Sequence, residues 1–551
     1  MAMKSYTHYL PRVLVSGKNF FFLLMVAFVC PGFGPGPAPV FGHSQGENQK
    51  SEVNQVYPPP EQDSPHDSSH SQAGHDAAGT LGETVYKHMC VFCHGDDGNG
   101  GGKAMAYLYP WPRDFRKGVF KHRSTPPGSL PLDADIYQTI TRGVPGTSMP
   151  SWGHALSEEE ALSVVQYIKR FSPRFGQEQP KDPVVVASVP SMTPESVAKG
   201  KGLYEELRCS RCHGTDLKGD GPLADDLYDI WDHRVFVYDL TNPNTFKFGM
   251  EKKDIYLTLT TGLDGTPMNA YNHLSDQERW NLAAFVESRV QKDLYQIAEY
   301  ETSLTSRKID AEIDLDPANP IWEAVPAINV HMVPLSARTN PVNRVKFQSV
   351  INDEGVAFRL EWDDEEPDKS SSRHQDFKDA VALEFALGDV VLHEHGHNEP
   401  FFGMGNRGKV VNIWQWRADW QTEIETKEKL EYATKGLDMD TMIFGGEVNP
   451  VDALNPFRDV PVEELNAEGF GTLTPQPQTK QNVLGKGVWK DGKWQVVFYR
   501  TLESLNKWDI KFVSEQPVLV AFAIWDGAHQ DRNGRKVVSM WQRLHLPKQS
   551  N

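Results

Sequence analysis

The 551-residue chain carries 74 acidic against 56 basic side chains, a net charge of −18, which argues against nucleic acid and anionic membrane surfaces as partners. Its length suggests roughly three or four domains of about 150 residues, and 39% apolar with 24% charged residues suffices for real cores. Of only 5 cysteines, four fall in one repeated motif, which leaves no pair for a structural disulfide.

The N-terminal segment predicts an export signal over 1–42. Lys4, Arg12 and Lys18 precede an unbroken apolar run from Phe20 to Val29, with a small-residue cleavage position near Gly42. That run is shorter than the roughly 20 residues that span a bilayer, so a periplasmic protein without a stable membrane span is expected. Cys30 follows Phe28 and Val29, which are too large for a lipoprotein site. Residues 43–78 lose nearly all apolar content and read as a disordered linker, whose His43, His66, His70 and His75 are solvated side chains on that reading.

Two pentapeptides come next, Cys90-Val91-Phe92-Cys93-His94 and Cys209-Ser210-Arg211-Cys212-His213. Each is the attachment signature of a c-type haem: two thiols for the porphyrin vinyl groups and a histidine for the iron. With 5 Cys and 19 His in the chain, chance supplies about 0.002 such matches. The motifs belong to an internal repeat. Asp135-Ile136-Tyr137 matches Asp254-Ile255-Tyr256, and Gly146-Thr147-Ser148-Met149 matches Gly265-Thr266-Pro267-Met268.

Both repeats close on a Ser-x-x-Glu capping box, at Ser157 and Ser275, followed by a helical stripe of Leu162, Val165 and Ile168 or of Leu282, Phe285 and Val286. Two helical domains are therefore expected at 79–176 and 194–292, joined by a Pro-rich linker at 177–193. His94 and His213 are the proximal iron ligands. Met149 and Met268 are the distal ones, because the repeated spacing outweighs the ordinary reading of a methionine as core. This part resembles the class I cytochrome c fold, with Pro110-Trp111-Pro112 and Pro243 where that family places a proline-bearing loop. His/Met iron is fully ligated and passes electrons without bond chemistry.

After a linker at 293–310, residues 311–551 change character. Val356–Trp362, Val411–Trp416, Trp494–Phe498 and Val518–Ala523 are short β-rich runs separated by turn residues, the pattern of an all-β sandwich. From the residues alone this domain could be a carbohydrate-binding module, a scaffold or a cofactor site, and His393-Glu394-His395-Gly396-His397 matches no established zinc spacing.

The stretches Pro400–Asn406, Val411–Trp416, Trp362-Asp363-Asp364, Phe377–Ala382, Ala523–Gly527 and Lys536–Trp541 resemble the haem b-binding gamma subunits of ethylbenzene dehydrogenase and related molybdenum enzymes. The resemblance implies one non-covalent haem b between Met404 and Lys536, with His529 as competing ligand. A lysine ligand must be neutral, which demands burial. The fold class expected is thus two all-α cytochrome c domains followed by an all-β sandwich haem b domain, with two covalent haem c and one haem b.

The resemblance further implies a non-catalytic electron-transfer subunit. It would carry electrons between the iron–sulfur subunit of a periplasmic molybdopterin oxidoreductase and a soluble cytochrome c or membrane oxidase. High-potential His/Met sites favour nitrite oxidoreductase within that group. Two rival classes are a dihaem carrier whose β-sandwich binds polysaccharide, and a dihaem peroxidase, which would need an open iron position.

Overall fold

The computed structural model describes residues 76–186, 188–295, 303–370, 375–388, 398–426, 459–504, 506–512 and 517–547. The expected export signal, nearly all of the first linker and the His393–His397 cluster lie outside the described residues. No helix among them is long and apolar enough to cross a membrane.

The first region opens with a helix, Asp76–Val85, continued by a π-turn, Tyr86–Cys90, and the short helix Val91–His94. Helices Asp133–Arg142 and Glu158–Lys169 complete it. The second region repeats the scheme with Pro194–Glu206, Ser210–His213, Lys252–Thr261 and Asp276–Arg289. In each, the first and last helices cross at a glycine. A Cβ on Gly82 would run into the Ser163 carbonyl, and one on Gly200 into that of Asn281. Both capping boxes form: the Ser157 and Ser275 hydroxyls accept the Glu160 and Glu278 amides at 3.3 Å, and those glutamates accept the serine amides at 2.8 Å.

The expected stripe on the first closing helix needs one correction. Leu162 is 43% exposed, and Ala161, Val164, Val165 and Ile168 face the core instead. Helical rotation decides this, since 161, 164, 165 and 168 share one face and 162 lies off it.

The C-terminal region is a sandwich of two sheets. One has the order Ser303–Thr305, Gln542–His545, Val518–Trp525, Ala380–Ala386, Val411–Arg417, Val462–Ala467 and Thr474–Pro475, with Val537–Val538 and Val333–Pro334 attached. The other runs Leu484–Lys490, Lys493–Thr501, Gly355–Asp363, Arg344–Ile351 and Arg307–Lys308, with Ile328–His331 beside Arg344–Ile351. Alternation places Leu383, Phe385, Val520, Phe522 and Trp414 against Phe347, Phe358, Leu360 and Phe498 between the sheets.

The other face of the first sheet is also buried and is built from small residues, Ala382, Ala386, Ala467 and Ala521, with Ile413 and Leu465. Double burial explains why these strands read as nearly continuous apolar runs. The expected all-β character holds only in part, because helix Ala418–Thr426 follows directly on a strand. The two helical regions likewise include long irregular loops and isolated β-bridges, Tyr109 with Ser336 and Tyr228 with Arg234.

Candidate haem sites

Cys90, Cys93, His94 and Met149 line one pocket, with Tyr86, Phe115 and Ile140 among its apolar walls. The π-turn and the short helix deliver the thiols and the imidazole. Tyr86 fixes that turn by donating its hydroxyl to the Gly95 carbonyl at 2.8 Å. His94 Nδ1 lies 3.2 Å from the Arg113 carbonyl, and its ring stacks on Phe115 at 4.6 Å. Burial holds its pKa down to about 4, so the imidazole is neutral and offers Nε2 as a lone pair. Burial likewise pushes the Cys90 and Cys93 thiols up to about 12.

Met149 is set by its turn. Val144 donates to the Met149 carbonyl at 3.0 Å, and the Thr147 hydroxyl donates to the Val144 carbonyl at 2.7 Å while accepting the Met149 amide at 3.2 Å. The second turn is a near copy, with Leu263 to Met268 at 3.0 Å, Thr266 to Leu263 at 2.7 Å and Met268 to Thr266 at 3.2 Å. Tyr204 donates to the Gly214 carbonyl at 2.7 Å, and burial lowers the His213 pKa to about 4. Met268 and Cys209 pack on one core with Leu217, Leu259 and Phe285. Cys212 and His213 follow Cys209 on the short helix Ser210–His213.

A basic rim surrounds the first pocket. Arg113, Lys121 and His122 line it, and Arg113 Nη1 and His122 Nδ1 are buried without a hydrogen-bond partner among the described residues. Burial lowers Arg113 to about 10 and Lys121 to about 7, and holds His122 well below its usual value. Lys247 of the second region approaches from beside the rim, its amine donating to the Pro145 carbonyl at 2.7 Å and depressed in basicity by burial and by Lys121. The Arg113 guanidinium keeps its charge and its buried Nη1 needs an acceptor, which a haem propionate would supply. Sequence reasoning missed this rim, and only the basic run Arg116, Lys117, Lys121, His122, Arg123 hints at it.

Met404 packs on the small-residue face of the large sheet beside Trp525, and Lys536 reaches the same tryptophan and the same carboxylate, Glu384, that Met404 uses. Met404 adopts φ +77°, the left-handed region that a non-glycine residue occupies only under constraint. Its amide donates to Glu384 at 3.1 Å, and its carbonyl accepts the Gly469 amide at 2.8 Å. Its side chain packs beside Trp541, Trp525 and the alanines. The Lys536 amine sits 4.6 Å from the Trp525 ring centre. Lys536 retains some solvent contact, but the protein packed around it lowers the amine's pKa, partly offset by the Glu384 and Asp531 carboxylates. Burial raises Glu384 to about 8, against the pull of Lys536.

His529 is committed elsewhere. Its Nδ1 lies 2.7 Å from Asp526 and its Nε2 2.8 Å from the Thr339 carbonyl. Glu384 escaped sequence reasoning, though a lone carboxylate in Ala-Val-Ala-Leu-Glu-Phe-Ala is the signal that could have found it.

The loop carrying Met404 also walls the first c pocket, which Phe401 and Phe402 line. Phe92 stacks on Phe401 at 4.2 Å, Trp152 meets Phe402 edge-on at 6.2 Å, and His88 lies 3.5 Å from Glu399. On its other side the first region meets the second. Buried Arg123 donates to the Thr261 carbonyl and pairs with Asp264, both at 2.8 Å. Arg113 covers Trp231 at 4.4 Å, and the Tyr238 hydroxyl donates to the Gly146 carbonyl at 3.1 Å.

Three family models match. Residues 77–168 match cytochrome c oxidase, cbb3-type, subunit III, residues 197–289 match cytochrome c, and residues 319–537 match ethylbenzene dehydrogenase. The chain is 29% identical over 236 residues to a putative respiratory nitrate reductase heme subunit of Haloferax mediterranei, covering 42% of this chain and 67% of that one. It is 26% identical over 241 residues to the chlorate reductase subunit gamma of Ideonella dechloratans, covering 42% and 80%.

Among solved structures, a chain of the Kuenenia stuttgartiensis reducing HAO-like protein complex Kustc0457/Kustc0458 is 43% identical. The match covers 38% of this chain and 96% of that one, with a TM-score of 0.37. The chain thus carries two cytochrome c domains, which imply covalent haem c, and an ethylbenzene dehydrogenase-type domain. Like the heme and gamma subunits it resembles, it is an electron-transfer subunit and not a catalytic one.

Proposed function

We propose that the chain is a three-site relay in which the β-domain, the first cytochrome c domain and the second lie in series. The observation that carries this reading is the Phe401-Phe402-Gly403-Met404 loop, since two of its residues wall the first c pocket and a third faces Lys536's neighbour Glu384. Each haem, when bound, would supply a reversible one-electron iron couple. Cys90 and Cys93, with His94 and Met149, would hold the first c haem. Cys209 and Cys212, with His213 and Met268, would hold the second.

Met404 and Lys536 would clamp haem b, with Lys536 favoured over His529 because both imidazole nitrogens of the latter are engaged. Depressed basicity eases the loss of the Lys536 amine proton that ligation demands, and the small side chains of the alanine-rich face suit a flat macrocycle. Phe401 and Phe402 keep water out between the two sites, where a low-polarity contact favours transfer without solvent reorganisation.

On this reading the chain serves an exported, periplasmic molybdopterin oxidoreductase. The β-domain faces its iron–sulfur subunit, and the second c domain faces a soluble cytochrome or membrane oxidase. A nitrite oxidoreductase-like assembly suits two thioether-ligated sites, because methionine raises the haem potential. A pyridine haemochromogen assay on the purified chain tests the cofactor content: two covalent c haems and one extractable b haem are expected. Met404→Ala and Lys536→Ala should each lose the b haem alone. Only c haem in the wild-type protein would sink the relay.

A further inference from the structure

A second functional cluster lies at one end of the sandwich. Asp368, Asp379 and Asp526 each present a carboxylate oxygen, and these atoms lie within 4.8 Å of one another. Oxygens sharing one calcium ion at about 2.3–2.6 Å can stand no more than about 5 Å apart, so the triad has the dimensions of a coordination shell. Independent of the triad, Asp364 is only 9% exposed and its Oδ2 has no hydrogen-bond partner. The charges that act on it are those of Asp379, Asp526 and Asp368, so this orphaned oxygen belongs to the same electrostatic focus.

The fold explains the convergence. Asp364 follows strand Gly355–Asp363 of one sheet, Asp379 precedes Ala380–Ala386 of the other, and Asp526 follows Val518–Trp525, whose Trp525 pairs with Ala380. Gly527 completes the setting, because its amide donates to Asp379 at 2.9 Å and a Cβ there would strike Asp368. Nearby cations do not balance four carboxylates. His529 is engaged with Asp526 at 2.7 Å, Arg338 is paired with Asp531, and Lys369 sits over the Trp494 ring, whose Nε1 donates to Asp379 at 2.9 Å. Burial and mutual repulsion accordingly raise Asp364 to about 8, and burial raises Asp379 to about 7. His529 holds Asp526 below its usual value, which leaves Asp364, Asp368 and Asp379 to hold protons or a counter-ion.

We propose that Asp368, Asp379 and Asp526, with the orphaned Asp364 beside them, bind one calcium-class divalent cation that staples the two sheets together. All-oxygen donors select a hard ion, and carboxylates gathered from three strand ends suit the larger, geometrically tolerant Ca²⁺ over octahedral Mg²⁺. The staple also fixes the turn that follows. Asp526 accepts the Asp531 amide at 3.1 Å and gives its own amide to Asp531 at 3.1 Å, and the chain runs from there to Lys536. This last consequence rests on the haem b reading, whereas the ion site does not.

The test uses the full chain, stripped with EGTA, dialysed at pH 7.5 and titrated with CaCl₂ or MgCl₂. Bound metal is read by elemental analysis and calorimetry, and the unfolding midpoint by scanning calorimetry. One Ca²⁺ per chain is expected, bound at least tenfold more tightly than Mg²⁺, with a higher unfolding midpoint when it is restored. Asp379→Asn and Asp526→Asn should each weaken Ca²⁺ binding at least tenfold. A wild-type chain that binds no Ca²⁺, or binds Mg²⁺ equally well, would overturn the proposal. So would full-affinity binding by a folded Asp526→Asn variant. The wild-type titration decides the matter even if a variant fails to fold. Loss of the ion with haem b retained would sever the link to Lys536 while leaving the site itself intact.

Discussion

The two cytochrome c domains share their local chemistry and differ in their surroundings. Tyr86 and Tyr204 bind their glycine carbonyls at 2.8 and 2.7 Å, and both methionine turns use the same three hydrogen bonds. Yet His94 Nδ1 meets the Arg113 carbonyl at 3.2 Å, while His213 Nδ1 is buried with no partner among the described residues. The first domain is gripped from both sides, by Phe401 and Phe402 of the sandwich and by Asp264, Trp231 and Lys247 of its twin. Duplication preserves what a haem needs locally, and tertiary packing then makes one copy internal and the other terminal. An anchored imidazole is also a more basic ligand than an unanchored one, so the two sites should differ in potential even if, as proposed, both irons take the same axial atoms.

The largest expected effect comes from removing the shared wall. Phe401→Ala should cost about 3–5 kcal/mol, the usual loss for a buried phenylalanine. It should expose the first c site to external ligands, read by calorimetry and carbon monoxide binding, with the second site's spectrum unchanged. An equal response at both sites would erase the distinction between internal and terminal copies.

Next comes the basic rim. Arg113→Gln keeps the backbone carbonyl that His94 uses but deletes a cation, and should lower the first haem's potential. The lost interaction is on the order of 1.5–3 kcal/mol, typical of a hydrogen bond to a charged group, and a redox titration resolves it from the second haem.

Tyr86→Phe and Tyr204→Phe should each cost about 1–2 kcal/mol by stranding a buried carbonyl. Near-equal losses in chemical denaturation would support local equivalence, and unequal ones would show that the surroundings reach that turn. Ser157→Ala and Ser275→Ala sharpen the same point with the smallest effect, about 1 kcal/mol each from a lost helix cap.

What the sequence disclosed follows the range of each constraint. Haem attachment needs two thiols and an imidazole within five residues, so Cys90 to His94 and Cys209 to His213 are legible directly, and the repeat carries Met149 and Met268 with them. Strand alternation likewise disclosed the sandwich. Phe401 and Lys247 were illegible, because each acts on a partner distant in sequence and neither differs locally from an ordinary core or surface residue, whereas Glu384 left one trace, a lone carboxylate in an apolar strand. Leu162 failed for a smaller reason, since one residue of helical rotation separates a core position from an exposed one.

The position of Phe401 and Phe402 bears on how the protein is made. They wall the first c pocket yet lie far downstream of Cys90, so a chain emerging from its amino end presents both thiols before that wall exists. Attaching the porphyrin before that segment folds, while the door is still unhung, would spare it passage past the finished wall. The core that Cys209 and Met268 join is drawn from residues 186–286 alone, so no later segment imposes that order there.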